Sequence, residues 1–260
     1  MRNNTISANT LFHFTKTIEN VRNILAQTFS PRYCLEHIDF ISSEKLDMAI
    51  PMVCFCDIPL SQIIDHVDTY GEYAIGLNKD WAMSKGISPV LYLYKNSLTN
   101  KIINELFKTT FKLDKITYFL KKDLTDPATL DFCGLLFYCK IYKGKMWREG
   151  RLKENKTFYN EREWRYIPNL NDLEWINPRL IIGKDEYNNS AKRTEYNDQI
   201  KHLTIGFAPK DIKYIIISKE SERLEMINMI EHIKGNDYSL NDLKELNSKI
   251  ISVEQIKDDF

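Results

Sequence analysis

The residues best equipped for chemistry stand in the run Tyr159-Asn160-Glu161-Arg162-Glu163-Trp164-Arg165-Tyr166-Ile167-Pro168. Aromatics at alternate positions and a closing proline read as one strand. On such a strand Arg162, Trp164 and Tyr166 share one face, and Glu161, Glu163 and Arg165 share the other. Trp164 and Tyr166 are expected to form the buried side. Glu161 and Glu163 then lie about 7 Å apart, two rises of a strand. Carboxylates that close raise at least one pKa unless a cation or ligand sits between them, and Arg165 is the cation at hand. Such a pair can hold a sugar hydroxyl or stabilise a cationic transition state. The same residues serve equally as a salt-bridge ladder on a solvated face, and both readings stand at this point.

A second group lies near the amino terminus. In Leu11-Phe12-His13-Phe14-Thr15, His13 and Thr15 fall on one face of a short strand, where both can touch one ligand. A half-buried histidine bonded to a backbone carbonyl is the plainer alternative. Further on, Pro51-Met52-Val53-Cys54-Phe55-Cys56-Asp57-Ile58-Pro59 reads as a central strand stopped by Asp57 and Pro59. Cys56 and Asp57, at its carboxyl end, are placed to line a pocket, although Asp57 could instead cap the helix that follows. Tyr70-Gly71 suits a turn or a close backbone approach before a strand over Tyr73–Leu77.

The elements that must position these groups alternate through the first hundred residues, giving about four strands separated by short helices. Thr17 caps a helix carrying Ile18, Val21, Ile24 and Leu25 at helical spacing. Residues 98–139 change character. Ile102, Ile103, Leu106 and Phe107, then Ile116, Phe119 and Leu120, repeat at helical spacing, and Pro127 opens another helix. This is expected to be a helical insertion within a single α+β domain spanning residues 1–260, built on a central mixed or split sheet. Residues 169–197 read as a polar surface excursion. Strands follow at Leu203–Ile205 and Ile212–Ile217, then a helix over Glu220–Lys234 burying Leu224, Ile227, Ile230 and Ile233. Ser239 caps a short helix, and Ile250–Val253 reads as a last strand.

Composition narrows the function classes. The chain has 260 residues, 43% hydrophobic and 28% charged, which suits a globular protein with a real core. Thirty-six Lys+Arg balance thirty-six Asp+Glu, so net charge gives no case for nucleic acid or an anionic membrane as partner. The cations from Lys140 to Lys153 read as a solvated face. No apolar run is long enough to span a bilayer. The polar amino terminus and five cysteines, an odd number, point to a reducing cytoplasm. No cysteine or histidine spacing matches a metal site, so no metal is expected.

Taken together, His13 and Thr15, the Pro51–Ser61 run, Tyr70-Gly71 and Glu161–Arg165 resemble the AbiGi family of bacterial abortive-infection proteins. The likeness is strongest over residues 9–94 and 140–218. It implies antiphage defence and a partner role as antitoxin beside a nucleotidyltransferase-like toxin. The order of the histidine strand, helix, strand and later Glu-x-Glu strand also resembles ADP-ribosyltransferases. That resemblance implies NAD as substrate. Glu163, Glu161 and His13 would be catalytic. His13 and Thr15 would orient the cofactor, with Phe55 or Tyr70 against the nicotinamide, Cys56 and Asp57 lining the pocket, and Arg162 or Arg165 meeting phosphate. The two resemblances divide into an NAD-cleaving enzyme and a non-catalytic antitoxin or sensor.

Overall fold

The computed structural model describes residues 8–38, 47–111, 127–148, 151–169 and 181–259. In chain order the strands are β1 (Thr10–Thr15), β2 (Arg32–His37), β3 (Asp47–Cys56), β4 (Tyr73–Asn78), β5 (Ser88–Pro89), β6 (Leu91–Leu93), β7 (Cys139–Ile141), β8 (Lys143–Arg148), β9 (Arg151–Thr157), β10 (Glu163–Tyr166), β11 (Ile182–Gly183), β12 (Ile212–Ile217) and β13 (Ile250–Ser252). The α-helices are α1 (Ile18–Gln27), α2 (Ile64–Tyr70), α3 (Lys79–Ser84), α4 (Leu98–Phe111), α5 (Pro127–Phe137), α6 (Lys184–Asn188), α7 (Ser190–Ile200), α8 (Arg223–Lys234), α9 (Leu240–Asn247) and α10 (Val253–Asp259). Helices and a sheet with both parallel and antiparallel pairs make this a mixed α+β protein. The chain divides into two compact units. One comprises residues 1–30, 54–88 and 204–260, and the other residues 31–53 and 89–203.

The first unit is built on β1 and β4, paired antiparallel over their whole length, with Phe12 opposite Gly76 and His13 opposite Ile75. The end of β3 joins β1 through Phe12 and Cys56. On the other side β12 pairs antiparallel with β4, and β13 adds in parallel to β12. Apolar β-branched residues dominate β12, and its last three residues are buried. Phe12, Ile63, Val67, Ala74, Ile216 and Ile256 meet in one core cluster that ties α2 and α10 to this sheet. Thr17 caps α1 by accepting from the Asn20 N–H, as its sequence position predicts. Gly71 ends α2 at φ 118°, where an added Cβ would lie 2.2 Å from the Thr15 carbonyl oxygen. The close approach expected of this residue is therefore real, and the crowded atom is backbone of β1.

The second unit holds the antiparallel pair β2–β3, with β11 on β3. It also holds the parallel pair β6–β7 and the hairpin β8–β9. The helices α4 and α5 fall inside the interval read as a helical insertion; Ile116, Phe119 and Leu120 lie outside the described residues. On α4, Asn100, Ile103 and Phe107 are buried. Tyr33, Ala49, Ile182 and Ile200 form a smaller core cluster.

Several local readings are corrected. The polar stretch before residue 197 contains α6 and most of α7, which carry almost no apolar face and so gave no periodic signal. Leu203–Ile205 is no strand; Ile205 makes only an isolated bridge to Phe29. In α8 the buried residues are Met226 and Ile230, while Leu224 is exposed. The largest correction concerns the run at Tyr159–Pro168. Phe158–Glu161 is a turn of 3-10 helix, Arg162 takes left-handed geometry at φ 42°, and the strand begins only at Glu163.

Candidate functional site

The face of β10 expected to lie in solvent is the buried one. Glu163 and Arg165 are 6% and 0% exposed, and Glu161 in the preceding turn is 4% exposed, whereas Trp164 and Tyr166 are only half-buried. Alternation along the strand is as read; its sense is reversed. The physical reason is pairing, because charges can be buried when each finds a partner. The partners come from parts of the second unit remote in sequence.

Arg165 donates from Nε to Glu163 Oε1 at 2.6 Å, from Nη1 to the Phe137 carbonyl at 2.7 Å, and from Nη2 to Glu36 Oε2 on β2 at 2.7 Å. Lys140, central in β7, donates to Glu163 Oε2 at 2.5 Å and to Glu161 Oε2 at 3.1 Å. Lys156 on β9 stands 3.6 Å from Glu161 Oε1. Three carboxylates, Glu36, Glu161 and Glu163, thus meet three cations, Lys140, Lys156 and Arg165. The Glu163 N–H donates to the Tyr92 hydroxyl at 2.8 Å, fixing the start of the strand.

The electrostatics follow from this geometry. Burial alone would raise the Glu163 carboxyl, but Arg165 and Lys140 more than reverse that and hold it well below the usual carboxylate range. Burial would lower the Lys140 ammonium, and Glu163, Glu36 and Glu161 outweigh it, holding the group well above its ordinary value. Beside Arg165, Glu36 and Cys139 lies a void of only about 10 Å³, space for about one water molecule. Both oxygens of Glu163 are therefore engaged by protein cations, and the arrangement acts chemically as a closed ion-pair lattice.

The other candidates in the second unit are Arg162, whose guanidinium lies 5.9 Å from the centre of the Tyr159 ring, and Arg165 itself. The remaining candidates belong to the first unit. His13 donates from Nδ1 to the Cys54 carbonyl at 2.8 Å and packs edge-on against Phe29 and Phe55. Burial lowers its pKa. The Thr15 hydroxyl accepts from Asn20 Nδ2 at 2.7 Å. Phe55 also meets Trp81 edge-on, and the Cys56 thiol donates to the Phe12 carbonyl. Asp57 takes Lys79 at 2.7 Å, and the Tyr70 ring lies 5.7 Å from that of His66. The structure thus brings His13 and Phe55 into ring contact, and gathers Glu161, Glu163 and Arg165.

Sequence reading missed Glu36, Tyr92, Lys140 and Lys156. Lys140 had a signal: it interrupts the apolar run Tyr138-Cys139-Lys140-Ile141-Tyr142, and its side chain is 13% exposed. It does not belong to the solvated face in which it was counted. Glu36 and Lys156 carry no comparable mark, since their environment depends on pairing across the sheet.

These features define the class: a mixed α+β protein whose conspicuous acidic motif is locked in buried ion pairs. Among the described residues no helix is long and apolar enough to cross a membrane. Comparison with known proteins then gives the family. Residues 27–218 match the family model described as "Putative abortive phage resistance protein AbiGi, antitoxin", and the chain belongs to that family. It is 30% identical over 255 residues to "Abortive phage resistance protein AbiGi" of Lactococcus lactis subsp. cremoris, covering 89% of this chain and 99% of the relative. No solved structure matches. The family segment contains every member of the ion-pair lattice, whereas His13 and Thr15 precede it.

Proposed function

We propose that this protein serves abortive-infection defence as a non-catalytic antitoxin that binds and restrains a toxin partner, one the family resemblance makes nucleotidyltransferase-like. The observation that carries this reading is the outer face of α4. Leu98, Ile102 and Leu106 recur every four residues and are 73%, 52% and 46% exposed, opposite the buried Ile103 and Phe107. A row of apolar side chains one turn apart is what a partner helix or groove engages. Tyr94, 65% exposed, precedes the row, and its ring meets Tyr142, which stacks on Tyr159. Tyrosines of this kind are frequent anchors in interfaces. The commitment of Glu163 supports the same reading, because both of its oxygens already accept from buried cations that a ribose hydroxyl would have to share.

Co-expression with a candidate nucleotidyltransferase-like toxin tests the proposal. The wild-type protein should rescue growth and co-purify with the toxin. Ile102→Asp with Leu106→Asp should abolish both while leaving the thermal midpoint in place. Retained rescue by that variant, or self-association through the same row, would count against it. Purified protein incubated with NAD should release no nicotinamide. Release that disappears in Glu163→Gln would replace this reading with the NAD-cleaving one.

A further inference from the structure

The first unit carries a cleft of about 1050 Å³. It lies between α3, the loop at Gly206–Ala208 and the start of β12. Its walls are set in advance. The Trp81 indole N–H donates to the Gly206 carbonyl at 3.1 Å, and Asn78 both caps α3 and donates to the Asp211 carbonyl. Phe207 is half-buried, held edge-on to Trp81 and tilted against Phe29, with its remaining surface lining the cleft. A Cβ on Gly206 would meet nothing within 4 Å, so the backbone beside that ring lies open.

Four lysines and two aspartates line this space. Lys79 is committed to Asp57. Asp211 accepts from the Ala208 N–H within its own turn. Lys85 at the end of α3, and Lys210 and Lys213 around the start of β12, are exposed and pair with no acid among the described residues. With four lysines against Asp211 and the exposed Asp80, the lining keeps a modest cationic excess beside an aromatic ring in one preformed hollow. Lysines meet phosphates as point charges, and a ring face stacks on any base. Free nucleotides favour pockets that enclose most of their surface. This cleft is open to solvent, which suits a strand lying in it.

We infer that the cleft binds a short stretch of single-stranded nucleic acid, with Lys85, Lys210 and Lys213 on successive phosphates and a base on Phe207. Three phosphate contacts set a salt slope of about −2, so affinity should fall roughly twenty-fold between about 50 and 200 mM salt. The site is independent of the α4 row.

Fluorescence anisotropy with a labelled oligo-dT strand of about ten nucleotides provides the test. The full chain should bind with that slope. The variant carrying Lys85→Ala, Lys210→Ala and Lys213→Ala should lose at least about tenfold in affinity and most of the slope, with an unchanged thermal midpoint. Arginines at the same positions should restore binding. Phe207→Leu should weaken it at least about fivefold. The Ile102→Asp, Leu106→Asp variant should bind the strand as the wild type does, which separates this result from the partner assay. No binding at low salt, or equal binding by the triple alanine variant, overturns the inference. So does displacement by AMP at the same nucleotide concentration, which would show a site for single nucleotides instead.

Discussion

Arg165 is the residue on which the second unit's charge balance turns. It is fully buried and meets two carboxylates and a carbonyl. Removing one partner from a buried ion pair typically costs about 3–5 kcal/mol, because the opposite charge stays behind unpaired. Arg165→Met should therefore lower stability by about that amount in urea unfolding. Arg165→Lys should recover little, since an ammonium cannot span Glu163, Glu36 and Phe137 in one planar fork. His13 offers a separate measurement. Its folded pKa lies below the ordinary value of about 6.5, so the unfolded chain takes up the proton first. The associated stability is whole above that pH and is lost as pH falls through the interval below it. A His13→Phe variant should show a flatter dependence of the unfolding midpoint between about pH 7 and 5.

At the scale of elements, Gly71 decides whether α2 can hand over to β4. Its φ of 118° and ψ of 163° lie where only glycine is comfortable, and the Thr15 carbonyl fills the place of a side chain. Gly71→Ala should cost at least about 2 kcal/mol, read as a lowered thermal midpoint. The sequence made this position visible, because glycine between a helix and a strand is a local signal. It made α1 and α9 visible as well, through Thr17 and Ser239 at their caps. Local signals failed at β10. Whether Glu163 or Trp164 points inward depends on Lys140 and Glu36, which lie 23 and 127 positions away in the chain. Hydropathy ranks a tryptophan above a glutamate, and pairing overrode that ranking. The helices α6 and α7 escaped for the opposite reason, having almost no apolar stripe to betray them.

At the scale of the whole molecule, the carboxylate and ammonium shifts bracket a pH window. Glu163 titrates below its unfolded value near 4.3, so its contribution is intact above that value and is lost as pH falls further. Lys140 titrates above its unfolded value near 10.4, so its contribution is intact below that value and is lost as pH climbs through the folded one. Unfolding free energy should form a plateau between about pH 5 and 10, sloped on its acid side by His13, and Arg165→Met should flatten its acid edge. The family-level function was legible because long strings around Asp57 and Glu163 carry the AbiGi resemblance. The state of the site was not legible, because it depends on which cations the sheet delivers to it.

The path of the chain through the two units has a consequence for biosynthesis. The chain passes between them four times, and residues 204–260, which supply β12 and β13, are made after the whole second unit. Once residue 203 has been added, every residue of the second unit has been made, yet β4 still lacks its neighbour β12. A half-translated molecule thus exposes an unfilled sheet margin able to recruit another nascent chain. Premature termination after residue 203 would yield a product that keeps the Arg165 lattice, lacks half the cleft, and aggregates through that margin.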